Sequence, residues 1–278
     1  MLHVENLTKK LPDGRALLDG ISFRVAAGEF VGILGASGAG KSLTLRCILG
    51  LTRADGGTAR FQAADGRSFE LTTCKGRAQR EARRRMGVIF QGFNLVKRLR
   101  VLDNVMIGRL GQIHPLRSWL YGFTDTEAEE AIAALKAVKM DAHADRITGS
   151  LSGGEMQRVA IARAIFQKPS VYLADEPIAS LDPSNSLAIM KLLQPLARET
   201  PVIGVFHQPE MTARFCTRVI AIKQGRIVYD GVPDLSHRRL EEIYGDELMQ
   251  VLRPAPVPVP SAHAKPEAPL LTLANQNA

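Results

Sequence analysis

The stretch GASGAGKSLTLRC, residues 35–47, decides the fold. Gly35, Gly38 and Gly40 share one turn with Ala36, Ser37 and Ala39, and Lys41, Ser42 and Leu43 open the run behind it. A turn stripped of side chains and closed by a cation suits an anion that comes very close to the backbone. Glycine lets N–H groups curl around a phosphate with no Cβ in the way, and a helix N-terminus adds partial positive charge. The spacing G-x-x-x-x-G-K-[ST] follows the short apolar run FVGILG, so it predicts a buried strand, a phosphate loop and a helix. Residues 35–43 would cradle the nucleotide phosphates, Lys41 would reach the β- and γ-phosphates, and the Ser42 hydroxyl would ligate Mg²⁺.

A second group of residues lies far downstream. VYLADEP (residues 171–177) is an apolar strand ending in two acids, which is costly unless they meet a cation. Asp175 is placed to hold Mg²⁺, and Glu176 is then free to orient or deprotonate an attacking water. Before it comes LSGGEMQRVAIARAIFQ (residues 151–167), where Ser152 and Glu155 form an S-x-x-E capping box that predicts a helix start. Gly153 and Gly154 at its mouth leave N–H groups open to an anion, so Ser152, Gly153 and Gly154 read as a second phosphate receptor.

The organisation around these sites is α/β. LHVENL and ISFRV alternate, and GGTARFQAADGRSFEL reads as an antiparallel hairpin with Asp-Gly turns. From Gln91 to Ser150 helical periodicity replaces strands, as in TDTEAEEAIAALKAVKM; strand and helix then alternate again through VYLAD, PVIGVF and VIAIKQGRIVYDG. An α/β core interrupted by a helical insert is expected. From Arg253 the chain turns to alternating proline, which favours extended conformations and builds no core, so 253–278 is expected to be a disordered tail. Pro266 to Pro269 is either part of that tail or a weak ligand for a proline-reading domain.

The chain has 278 residues, 45% of them apolar, with a formal net charge of +8. That balance favours nucleotides, nucleic acid or an anionic membrane face as partners and does not choose among them. Cys47, Cys74 and Cys216 show no metal-ligand spacing, so a reducing cytoplasm without structural disulfides or zinc is expected. No apolar run is long enough to span a bilayer, and the first residues lack the form of a signal peptide.

With these motifs in hand, the chain resembles the ATP-binding subunits of ABC transporters. GASGAGKS matches Walker A, LSGGE the signature motif, VYLADEP Walker B and SLDP (Ser180 to Pro183) the D-loop. Gln91 in VIFQGFNL matches the Q-loop and His207 in GVFHQ the switch histidine. FQGFNLVKRLRVLDNVMIGRLG, ADEPIASLDP and RVIAIKQGRIVYDG are most similar to the phosphonate-import ATPases, a pattern shared with importers of phosphite or hypophosphite.

The resemblance implies a P-loop NTPase (RecA-like) core, an antiparallel β subdomain and an inserted α-helical subdomain at about 91–158, within an ATPase domain of residues 1–252. It implies a homodimer stacked head to tail, each ATP lying between one chain's P-loop and the other's Ser152–Gly154 helix, with Asp182 at that interface. Gln91 would ligate Mg²⁺, and His207 would contact the γ-phosphate and hold Glu176 and water; Lys41, Glu176 and His207 are the catalytic set. Membrane permease subunits, docking near Phe90 to Leu95, and an extracytoplasmic phosphonate-binding protein would complete an importer at the cytoplasmic face of the plasma membrane. Phe90 and Phe93 are equally readable as core, and the basic run KGRAQREARRR as a solvated helix face or a neighbour of anionic headgroups. Leu11 stands where the family carries an aromatic against adenine. Rival readings are an ATPase of amino-acid import or lipoprotein release, or a soluble ABC ATPase acting on translation or DNA. The last commonly carries two cassettes or a long coiled coil, neither visible here, so nucleic acid is not expected as a partner.

Overall fold

The computed structural model describes residues 1–245 apart from 64, 114–116 and 118–121. The proline-rich stretch 253–278 and the end of the 1–252 domain lie outside the described residues.

Two sheets organise the chain. In the first, β1 (Leu2–Lys10), β2 (Ala16–Val25), β4 (Gly56–Gln62) and β5 (Ser68–Glu70) form an antiparallel sheet in the order β2-β1-β4-β5. The expected hairpin is its β4–β5 pair, with Phe61 opposite Phe69 and their rings stacked at 5.0 Å. Asp55 fastens β1 to this sheet, accepting from Lys10 N at 2.7 Å and Lys9 Nζ at 3.0 Å.

The second sheet runs β10-β9-β3-β8-β7-β6. Its centre is β3 (Phe30–Leu34), β8 (Val202–Val205) and β7 (Val171–Asp175), in which every residue but Asp175 is buried. Continuous apolar runs of this kind belong to parallel strands covered on both faces, and the three are parallel. β9 (Arg218–Lys223) joins β3 in parallel, and β10 (Arg226–Gly231) closes that edge antiparallel. The other edge, β6 (Met86–Ile89), was not expected from sequence: four residues, one a glycine, carry no legible alternation.

Helices flank this sheet. α1 (Lys41–Ile48) packs with the antiparallel sheet on one side, in a cluster with Leu2, Phe61 and Ile203. α2 (Gly76–Arg84) is the basic run, with Ala82 its one buried residue. Helix-rich chain then follows, through α3 (Val101–Met106) and α4 (Asp125–Ala137) to α5 (Gly153–Phe166). Residue 158, the expected end of the insert, falls inside α5, which runs on beneath the sheet. One hydrophobic cluster joins Val105, Leu135 and Ile161 of these helices to Phe30 and Val202 of the sheet and to Phe206 just beyond β8. The helices and sheet therefore share a core. α6 (Pro183–Leu193), α7 (Pro209–Phe215) and α8 (His237–Tyr244) complete the chain.

Phe90 and Phe93 are both half-buried and belong to neither main hydrophobic cluster, which sets aside the reading of them as core. Among the described residues no helix is long and apolar enough to cross a membrane.

Candidate nucleotide site

The phosphate loop sits where the sequence puts it, between β3 and α1. Gly40 is the N-cap of α1 at φ 107, with no side-chain cap and no acid in the first turn. The positive end of the helix is thus left open to an anion. Two of the glycines answer packing as well as phosphate. A Cβ on Gly35 would meet Ile222 O at 2.1 Å, and one on Gly40 would meet Leu18 Cδ2 at 2.8 Å. Lys41 is buried, and its Nζ donates to Gly35 O at 2.7 Å and Ala36 O at 2.9 Å, drawing the loop's two ends together.

One cleft is lined by Ser37, Gly38, Ala39, Gly40, Lys41, Ser42, Leu43, Gln91, Glu176, His207 and Leu17. Eleven residues from five separate stretches meet here, and all but Leu17 are expected site residues. Leu17 is the one that sequence reasoning missed. Leu17 and Leu18 are adjacent in a strand, so they cannot both face the core; Leu18 is buried and Leu17 is left at the cleft. Leu11 does not line it; its N–H and carbonyl close the β1–β2 turn on Arg15 and Gly14.

Glu176 and His207 come from the ends of neighbouring parallel strands. Asp175 pairs with Val205 in the β7–β8 register, so the residues just beyond lie side by side. Glu176 Oε1 and His207 Nε2 are 2.6 Å apart, with the carboxylate side chain 16% exposed and the imidazole 41%. Glu176 holds φ 51, a left-handed conformation that costs a non-glycine residue about 1–2 kcal/mol. Strain of this kind persists where the surroundings over-determine it, as they do at functional turns. A carboxylate fixed by an imidazole at the rim of a phosphate loop can orient a water and accept its proton.

Asp175 does not line the cleft but ends the strand beneath it. Its Oδ1 is buried and has no hydrogen-bond partner among the described residues. A buried carboxylate oxygen left over in this way fits a hard cation or its water shell, and the Ser42 and Gln91 oxygens in the cleft suit the same ion.

The second receptor does not join this cleft within the chain. α5 begins with the expected capping box: Ser152 Oγ accepts from Glu155 N at 3.4 Å, and Glu155 Oε2 accepts from Ser152 N at 2.8 Å. The Ser152 N–H, and the Ser152 hydroxyl that donates to the same oxygen at 2.7 Å, hold the Glu155 carboxyl below the usual carboxylate range. Ser152 is exposed, Gly153 half-buried and Gly154 buried, so the pair of glycines is less open than the sequence suggested. The reason is Asn185, whose Oδ1 lies 2.7 Å from where a Gly154 Cβ would stand. Asn185 is held in turn by Asp182, which accepts from its Nδ2 at 2.6 Å and caps α6 through the Ser184 and Asn185 N–H groups, both at 3.0 Å. Asp182 is therefore an N-cap, and these bonds lower its carboxyl pKa.

A parallel sheet with a glycine loop, a helix N-terminus, a strand-end Asp-Glu pair and a facing histidine defines an ATP-binding cassette of the P-loop type. The ABC transporter family model matches residues 18–179, and the chain belongs to this family as an ABC-type ATPase that hydrolyses ATP to drive transport. It is 43% identical over 249 residues to the phosphonates import ATP-binding protein PhnC of Nitratidesulfovibrio vulgaris, covering 88% of this chain and 92% of that one. Against PhnC of Wolinella succinogenes it is 40% identical over 256 residues, 91% of each chain. Among solved structures, the dimeric bacterial ABC transporter cassette MJ0796 superposes with TM-score 0.70 at 30% identity, over 84% of this chain and 99% of that one. The dimeric post-hydrolysis state of MJ0796 bound to ADP and Pi gives 0.69 at 29% identity over the same shares.

Proposed function

We propose that the chain is the ATP-hydrolysing subunit of an importer for phosphonate or a related phosphorus oxyanion such as phosphite or hypophosphite. Identity of 40–43% to phosphonates import proteins over about nine-tenths of the chain supports the substrate class. The observation that carries the enzymatic role is the Glu176–His207 hydrogen bond at the lip of the phosphate-loop cleft.

The backbone N–H groups of Gly38 to Leu43 and the Lys41 ammonium bind the phosphates. Glu176 accepts a proton from the attacking water while the water oxygen bonds the γ-phosphorus and the bond from that phosphorus to the β-phosphate oxygen breaks, giving ADP and phosphate. His207 fixes Glu176 and donates toward the γ-phosphate. Ser42, Gln91 and Asp175 hold Mg²⁺, directly or through its waters, and the orphaned Asp175 oxygen is the observation that supports this. The ion supplies charge neutralisation at the phosphates.

Ser152, Gly153 and Gly154 serve the nucleotide of a second copy, since they lie apart from the chain's own cleft. Two copies then stack head to tail around two ATP molecules, with Asp182 bracing the signature turn at their boundary. The dimer works at the cytoplasmic face of the plasma membrane with permease subunits, the helical insert of about 91–158 and residues Phe90 to Leu95 facing them, and a phosphonate-binding protein delivers the cargo outside. Deleting the gene and supplying methylphosphonate as sole phosphorus source tests the substrate. Growth should stop on methylphosphonate and continue on phosphate; unchanged growth on both overturns phosphonate as the cargo, and the same pair of cultures on phosphite and hypophosphite tests the related oxyanions.

A further inference from the structure

The phosphate loop has an outer face as well as a cleft, and α8 is packed against it. In HRRLEEIY, Leu240, Ile243 and Tyr244 fall at the i, i+3, i+4 spacing of one helix face, and all three are buried. Their cluster takes in Ala221 of β9 and, half-buried at its edge, Ala36 of the loop. Two further bonds fix the approach. Lys223 Nζ, at the end of β9, donates to Glu242 O at 2.7 Å and so holds the last turn of α8. Gly225 N, in the turn between β9 and β10, donates to Ala39 O at 3.0 Å. Ala36 to Ala39 form one wall of an outer cleft whose other wall includes Ile243 and Tyr244.

Tyr244 is 4% exposed, and its hydroxyl is buried with no hydrogen-bond partner among the described residues. Burial pushes the phenol above its ordinary pKa, and the Gly35 N–H works against that rise. The N–H therefore faces the phenol oxygen without reaching hydrogen-bond geometry. A hydroxyl left in this state destabilises a fold, whereas a phenylalanine ring would fill the same space without that cost.

The same part of the loop is where Lys41 is engaged. Its Nζ donates to Gly35 O at 2.7 Å and Ala36 O at 2.9 Å. An ammonium has three protons, so it cannot keep both carbonyls and also bond the β- and γ-phosphates. Nucleotide thus releases a loop carbonyl next to a buried donor that has nothing to bond.

We propose that Tyr244 is a positioning residue for the phosphate loop, its hydroxyl taking up the Gly35–Ala36 backbone when Lys41 turns to the phosphates. Its oxygen then accepts from the Gly35 N–H, and its proton goes to the carbonyl that Lys41 gives up. Tyr244 touches no reacting atom; it favours the loaded shape of the loop over the empty one, and α8 tightens when nucleotide binds. The inference rests on the reading of residues 35–43 as the loop that holds the nucleotide phosphates.

The test compares the full-length parent with Tyr244→Phe, which keeps the ring and removes only the hydroxyl. Without nucleotide, the variant should melt at the parent's temperature or above it, because an unpartnered polar group has gone. Its Kd for a non-hydrolysable ATP analogue with Mg²⁺ should rise about three- to tenfold, the size of one hydrogen bond. Unchanged affinity overturns the proposal, as does a lower melting temperature of the nucleotide-free variant, which would make the hydroxyl a structural group only.

Hydrogen–deuterium exchange reads the same contact from the helix side. With the analogue and Mg²⁺, residues 38–43 should be protected in both chains and residues 237–245 in the parent alone. Equal protection of 237–245 in the variant overturns the proposal. A parent that binds the analogue and never hydrolyses ATP would contradict the ATPase reading instead, and affinity and exchange would still decide the role of Tyr244. A parent that binds no nucleotide overturns both.

Discussion

Glu176 and His207 are 31 residues apart in sequence and 2.6 Å apart in space, joined by the register of β7 on β8. No local feature of either segment makes that bond; the pairing of Asp175 with Val205 does. His207→Ala should therefore lower ATP hydrolysis by about 10²–10³-fold, the range of a lost polar group acting on the transition state. ATP affinity should change little, since the loop N–H groups and Lys41 remain. Turnover and nucleotide titration on the same preparation check this; an equal fall in affinity would make His207 a wall of the cleft and not an orienting group.

Ser152 caps α5 and, under the proposed function, faces a phosphate in the dimer. Ser152→Asp separates the two roles. Aspartate caps a helix as well as serine. It cannot replace the Ser152 hydroxyl that donates to Glu155 Oε2 at 2.7 Å, so thermal stability should fall by about 1 kcal/mol and no further. Its charge would oppose the triphosphate, so hydrolysis and ATP-dependent dimerisation should be lost while a single chain still binds ATP. If single-chain binding disappears as well, Ser152 serves its own cleft.

Gly154 is a glycine because of Asn185. Gly154→Ala brings a Cβ to 2.7 Å of the Asn185 amide oxygen, which Asp182 keeps from swinging away. Overpacking of this kind should cost about 1–3 kcal/mol. Asn185→Ala in the same chain should recover most of that loss. Urea denaturation of the two single variants and the double variant measures the coupling, and additive losses would mean that the clash is relieved elsewhere.

The motif residues were legible because they are runs: a glycine turn, an apolar strand with terminal acids, a capping box. The central strands β3, β7 and β8 were legible for the same reason, each a short apolar run buried on both faces. β6 was not, since its four residues sit between a run of arginines and the Gln91 turn. The pairings across the chain were also out of reach. Asn185 under Gly154, Arg163 on the carbonyls of Phe93 and Asn94, and Glu176 in a left-handed turn all depend on how distant segments meet. Leu17 left a trace, the doubled leucine that breaks the alternation of β2.

Asp175 carries a buried oxygen without a hydrogen-bond partner among the described residues. Removing its charge should leave the nucleotide-free chain as stable as the parent or slightly more so, because the desolvated charge goes with it. Mg-ATP should then separate the two. At a ligand concentration of 100 times Kd the parent gains about 2.7 kcal/mol, and Asp175→Asn should gain much less at the same concentration. Thermal melts with and without Mg-ATP, and with EDTA added, decide this. Equal shifts in parent and variant would remove Asp175 from the ion's surroundings.

The central claim is that Glu176 activates the water in a site completed by two chains, and one measurement addresses it directly. Parent and Glu176→Gln are compared for hydrolysis and for mass by light scattering, both with Mg-ATP. The account predicts that hydrolysis falls by about 10²–10⁴-fold, the span of general-base catalysis, while the variant accumulates as an ATP-bound dimer. A variant that stays monomeric and hydrolyses ATP at the parent rate would contradict it.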